Sequence, residues 1–263
     1  MATVTSADGT TIAYETTGSG PALIIVDGAM CYRDNGPARD LAAALADTCT
    51  VVIYDRRGRG ASGNTLPWSA EREIEDIAAL LEAVGGGAYL VGCSSGAVLA
   101  ADAANRLDGV RKLALYEPPF IVDGSHPARP DTYLPETEAM IAAGDNGGAV
   151  KKFLRHVGVP GFVVQIMALT PVFRKLKAVA PTLPYDLRIL GDTGRGLPLD
   201  AGRWAQVRVP AVVMDGGRSP QYMRNAAKAL SEALPKADYR TLPGQTHIVK
   251  APVLAPAVKE FLA

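Results

Sequence analysis

The chain has 263 residues, 48% of them hydrophobic, and its 27 basic residues balance its 27 acidic ones. This composition is typical of a globular protein with a large core. Because a net charge of zero creates no field to gather nucleic acid or an anionic membrane surface, a small-molecule partner is favoured over either.

The predicted strands are short β-rich segments at residues 11–16, 22–27, 50–55, 88–93, 112–117, 211–215 and 238–242. Several are continuous apolar runs, as in strands buried on both faces of a parallel sheet. Apolar residues at helical spacing lie between them, for example at 74–84, 223–234 and 254–262. This alternation predicts an α/β protein with helices on both sides of a mostly parallel sheet.

The alternation stops from about Pro118 to Arg208, where helical patterns with Gly and Pro punctuation take over. An insert of this length between two strands must lie above one end of the sheet. We therefore predict a core of residues 1–117 and 209–263 and a helical cap of residues 118–208. In the cap, the apolar segment that includes Phe162, Ile166 and Met167 either lines a substrate pocket or packs the cap onto the sheet.

The sequence also bears on cofactors and location. The cysteines are odd in number and lack metal-ligand spacing, and no pair of histidines has it either. No apolar run approaches the roughly 20 residues of a spanning helix, and the first residues lack a secretory pattern. We expect a reduced, cytoplasmic protein without metal or organic cofactor, either a monomer or a homodimer.

Residues 92–96, Gly-Cys-Ser-Ser-Gly, join a predicted strand to a predicted helix. G-x-S-x-G in this setting is typical of a nucleophile elbow, whereas the same residues elsewhere could form a simple glycine-rich turn. The glycines place the tip at Ser94, so we predict that Ser94 is a nucleophile and that the N–H of Ser95 binds an oxyanion. Cys93 precedes the tip and is predicted to be a small buried hydrophobe.

A serine nucleophile needs a base, and the chain has three histidines. His126 and His156 fall in the predicted cap, whereas His247 follows the last predicted strand, at the sheet end where the elbow also lies. We therefore predict that His247 is the general base, although a lone histidine in such a loop is usually structural.

Together these stretches resemble the α/β-hydrolase fold over essentially the whole chain. The matching segments are 27–29 (DGA), 54–62 (YDRRGRGAS), 92–96, 242–247 (LPGQTH) and the position of the insert. The resemblance implies an eight-stranded, mostly parallel sheet flanked by helices, with the cap inserted between strands 6 and 7.

The resemblance also implies a second oxyanion donor. Where the family has His-Gly after the third strand this chain has Asp27-Gly28, so the N–H of Ala29 inherits the role. Asp27 has either a structural role, bonding nearby backbone, or a chemical one. The arginines of 54–62 are assigned to loop structure without catalytic duty.

The family's usual acid position, after the penultimate strand, is occupied by Ser219. Some family members have the acid at the end of the sixth strand instead, where this chain has Glu117. We predict that Glu117 orients His247, in preference to Asp215 and then Asp123. The alternative for Glu117 is a charged strand end that faces solvent or pairs with an arginine of the cap.

These residues predict hydrolysis of an ester, lactone or thioester of a small, apolar substrate through an acyl-enzyme on Ser94. Two other readings stay open because fold does not settle function. One is a non-hydrolytic enzyme of the same fold, such as a perhydrolase, acyltransferase, lyase or cyclase. The other is a hydrolase-like ligand-binding protein.

Overall fold

The computed structural model describes residues 1–200 and 202–263. Its strands are β1 (Ala2–Thr5), β2 (Thr11–Thr17), β3 (Ala22–Val26), β4 (Thr50–Tyr54), β5 (Ala88–Cys93), β6 (Val110–Tyr116), β7 (Ala211–Gly216) and β8 (Ala237–Leu242). They form one sheet in the order β1-β2-β4-β3-β5-β6-β7-β8. Pairing is antiparallel at β1–β2 and β2–β4 and parallel elsewhere. The predicted mostly parallel, eight-stranded sheet is confirmed.

The α-helices are α1 (Ala38–Leu45), α2 (Ala70–Ala83), α3 (Ser95–Ala104), α4 (Tyr133–Ala142), α5 (Asn146–His156), α6 (Gly161–Met167), α7 (Pro171–Val179), α8 (Leu183–Leu190), α9 (Gln221–Ala233) and α10 (Ala251–Leu262). The buried faces of α2, α3 and α9 pack on one face of the sheet, and those of α1 and α10 pack on the other. Both faces of the central strands are thus covered, which explains their unbroken apolar sequences.

Helices α4 to α8 lie between β6 and β7, where the helical insert (residues 118–208) was expected. Part of the insert packs around Met30, in a cluster that includes Phe173, Leu176 and Leu183. This cluster joins the insert to the loop after β3. No helix in the described ranges is both long and apolar enough to cross a membrane.

Asp27 follows β3 and is a buried acid, with 3% of its surface exposed. Its Oδ1 has no hydrogen-bond partner within the described part of the chain. The residue lines a small, largely apolar cavity together with Cys93 and Leu254. Burial raises the pKa of the Asp27 carboxyl to about 7, against the opposing effect of Arg59 and Arg56. The carboxyl is therefore protonated in the folded chain on the acid side of neutrality.

This raised pKa predicts a specific pH dependence of stability. The contribution of Asp27 to the stability of the folded state is fully present below the pKa of this carboxyl in the unfolded chain, near 4. It is lost as the pH rises through the folded-state pKa of about 7. Asp27→Asn cannot ionise. In urea unfolding, we expect the free energy of unfolding of the variant to rise relative to that of the wild type by up to about 4 kcal/mol between about pH 4 and pH 8. A difference in the free energy of unfolding that is constant with pH would contradict the assignment.

Candidate active site

Ser94 lies at a sharp turn between β5 and α3. Its φ of 57° and ψ of −129° place a non-glycine residue in a sparsely populated region, as expected at a nucleophile elbow. A side chain at Gly92 would meet Ala97 Cα at 2.6 Å, and one at Gly96 would meet the carbonyl oxygen of Asp27 at 2.6 Å. Only glycine fits at these two positions, so the spacing of the motif follows from close packing.

The loop after β3 lies directly against this turn. A Cβ on Gly28 would approach Ser94 Cβ to 2.8 Å and Ser94 Oγ to 3.4 Å. The next residue, Ala29, makes no backbone hydrogen bond through its N–H in the described ranges. Ser95 is the first residue of α3, so its N–H has no carbonyl partner within the helix. Two backbone donors thus belong to segments that meet at Ser94.

Glu117 follows β6 and is fully buried. Its φ of 44° turns the backbone at the strand end. Glu117 Oε1 accepts a hydrogen bond from the N–H of Gly216 at 2.7 Å, and Oε2 lies 2.8 Å from His247 Nδ1. The carboxylate therefore bridges the end of β7 and the His247 ring. This arrangement leaves Nε2 of His247 as the nitrogen available for chemistry.

The other candidate acids have different partners. Asp215 contacts the hydroxyl of Tyr239 and lies 3.4 Å from Arg224 Nε. Asp123 accepts hydrogen bonds from Ser125 and from the side chain of Asn225. Of the three acids considered, Glu117 is the one in contact with His247.

Other predicted site residues are less closely associated with Ser94. Within the described residues, the His247 ring bonds Glu117, and no hydrogen bond joins it to Ser94 Oγ. On α6, Phe162 and Ile166 are 71% and 62% exposed, whereas Met167 packs against the cluster around Met30. Their role in a pocket stays a prediction.

Sequence reasoning missed a buried charge cluster formed by Arg56, Arg59, Asp186 and Glu73. Asp186, on α8, lies 2.7 Å from Arg56 Nη1 and 2.6 Å from Arg59 Nη2, and Ser95 Oγ donates to it at 2.8 Å. Glu73 is the second acid of the cluster, 2.6 Å from Arg56 Nε. The arginine-rich segment is a local signal for this cluster, but nothing in the sequence points to Asp186 as its partner.

A family model and solved structures place the chain among known proteins. The model of the alpha/beta hydrolase family matches residues 20–259. An alpha/beta hydrolase from Sphaerobacter thermophilus DSM 20745 is 44% identical in sequence, with 100% of each chain covered and a TM-score of 0.90. No curated protein matches the chain.

More distant solved structures share the fold. The enol-lactonase from Burkholderia xenovorans LB400 is 20% identical over 99% of each chain, with a TM-score of 0.71. The esterase RhEst1 from Rhodococcus sp. ECU1013 is 21% identical, with a TM-score of 0.68 over 99% of this chain and 98% of that one. Because the family model spans most of the sequence and the Sphaerobacter protein matches all of it, the chain belongs to the alpha/beta hydrolase family.

Proposed function

We propose that this protein is a serine hydrolase that cleaves an ester-type bond through an acyl-enzyme on Ser94. The observation that carries the proposal is the pair formed by His247 and the buried Glu117, at the same sheet edge as the strained turn of Ser94. A carboxylate on Nδ1 fixes the imidazole tautomer and stabilises its protonated form.

In the proposed reaction, Ser94 Oγ attacks the carbonyl carbon while His247 Nε2 takes the hydroxyl proton. The N–H groups of Ala29 and Ser95 bind the oxygen that becomes negative in the tetrahedral intermediate. The intermediate collapses as His247 returns the proton to the leaving alcohol or thiol, and the acyl group stays on Ser94. Water, activated by His247, then releases the acid and restores the serine.

The proposed substrate is a small, apolar carboxylic ester, lactone or thioester. Ala29 and Met167 are both partly buried against the apolar cluster around Met30. This packing supports an apolar surface beside the loop after β3, which carries the Ala29 donor. An esterase and an enol-lactonase are among the proteins that share the fold.

Ser94→Ala and His247→Ala test the nucleophile and the base. Each variant removes one partner of the proton transfer, so we expect kcat/KM for p-nitrophenyl butyrate to fall by at least about 1,000-fold. Circular dichroism of both variants, compared with that of the wild type, is the control for folding. A kcat/KM of Ser94→Ala equal to that of the wild type would contradict the proposal.

Glu117→Gln tests the acid, with Asp215→Asn as the matched control. The glutamine oxygen can still accept from the N–H of Gly216, but its amide group presents hydrogens to His247 Nδ1 and favours the wrong tautomer. We expect kcat to fall by roughly 100-fold or more. Asp215→Asn should stay within about 3-fold of the wild type, since Asp215 contacts Tyr239 and Arg224. Equal losses in the two variants would refute the assignment of Glu117.

A further inference from the structure

Arg59 contacts the peptide group that carries one of the two proposed oxyanion donors. Its Nη1 donates to the carbonyl oxygen of Gly28 at 2.7 Å and to that of Cys31 at 3.2 Å. The Gly28 carbonyl and the Ala29 N–H belong to the same planar peptide unit. A bond to this oxygen therefore fixes the direction in which the N–H points.

The charge of Arg59 adds to this geometric effect. A cationic donor on a carbonyl oxygen draws electron density away from the amide nitrogen, which makes the N–H of the same peptide a stronger donor. Arg59 is 1% exposed, so little water screens the interaction.

Asp186 connects Arg59 to the side chain of Ser95, the residue whose N–H is the second proposed donor. Its Oδ2 lies 2.6 Å from Arg59 Nη2, and its Oδ1 accepts a hydrogen bond from Ser95 Oγ at 2.8 Å. Burial alone would raise the pKa of Asp186, but Arg59 and Arg56 lower it below its ordinary value, so the group is ionised. The Asp186 carboxylate, which the helical insert contributes, thus contacts both Arg59 and the side chain of Ser95.

We infer that Arg59 and Asp186 are positioning residues of the oxyanion hole: Arg59 orients and polarises the Gly28–Ala29 peptide, and Asp186 couples it to Ser95. The inference rests on the proposed function, because it assigns a catalytic purpose to the Ala29 and Ser95 donors. It revises the sequence-based assignment of the 54–62 arginines to loop structure alone, since Arg59 and Asp186 of α8 take positioning roles.

A second buried ion pair of the same loop provides the matched control. Arg57 lies 2.6 Å from Asp76, and both residues are buried. The hydrogen bonds of Arg57 run to Asp76, Asp8, Ser6 and Arg72, none of which belongs to the elbow or to the loop after β3. Asp76→Asn therefore disrupts a comparable buried pair without touching the oxyanion hole.

The experiment compares Arg59→Lys, Asp186→Asn and Asp76→Asn in the full chain. We expect kcat/KM for p-nitrophenyl butyrate to fall roughly 10- to 100-fold in the first two, mainly through kcat. The inhibition constant of a phenylboronic acid, whose tetrahedral adduct places an oxygen in the oxyanion hole, should rise by the same factor. Asp76→Asn should change both quantities by less than about 3-fold. If Arg59→Lys or Asp186→Asn does not fold, Ser95→Ala replaces it, because this variant removes only the hydroxyl that contacts Asp186. We expect Ser95→Ala to lower kcat several-fold.

A readout independent of hydrolysis separates this inference from the proposed function. Labelling with carbonyl-¹³C glycine and ¹⁵N alanine restricts the NMR spectrum to the few Gly–Ala peptides of the chain. Because a hydrogen bond to the carbonyl deshields the nitrogen of the same peptide, the Ala29 signal should move upfield in Arg59→Lys and stay in place in Asp76→Asn. A wild type with no turnover would refute the proposed function alone. An unmoved Ala29 signal, or equal kinetic losses in Asp186→Asn and Asp76→Asn, would overturn the positioning role.

Discussion

The close packing of the end of β3 against the Ser94 turn is the constraint on which the site depends. Gly96 touches the backbone of Asp27 where a side chain would not fit, and Gly28 lies against the side chain of Ser94. This contact brings the segments of Ala29 and Ser95 to the same serine. A larger residue at Gly28 or Gly96 would separate two elements that come from distant parts of the chain, so the glycines act on the site without any chemistry of their own.

Buried charged groups surround this contact. Arg56 and Arg59 bond the carbonyls of Asp27 and Gly28 and are paired with Asp186, which the helical insert contributes. Buried ion pairs contribute little net stability because each charge loses its hydration. In this chain both arginines also hydrogen-bond the backbone of the loop after β3, and the positioning role inferred for Arg59 rests on that contact. The insert is therefore joined to the sheet at the proposed reaction centre as well as through the apolar cluster around Met30.

The sheet and the elbow could be predicted because each depends on local sequence: apolar runs for the central strands, and glycines around Ser94. The contact of Glu117 with His247 was predicted from the resemblance, because some family members have the acid at the end of the sixth strand. Strand β1 was missed because it is a short edge strand without an apolar run. The Asp186 contacts could not be predicted, because they join residues far apart in sequence and leave no periodic pattern.

The central claim is that Ser94 is an activated nucleophile, and covalent labelling tests it most directly. A fluorophosphonate reacts with a serine whose hydroxyl proton is taken by a neighbouring base as the oxygen attacks phosphorus and fluoride leaves. Intact-mass spectrometry counts the adducts. The account predicts one adduct on the wild-type protein, none on Ser94→Ala, and strongly slowed labelling of His247→Ala. A folded wild type that forms no adduct, or an adduct that persists in Ser94→Ala, would contradict it.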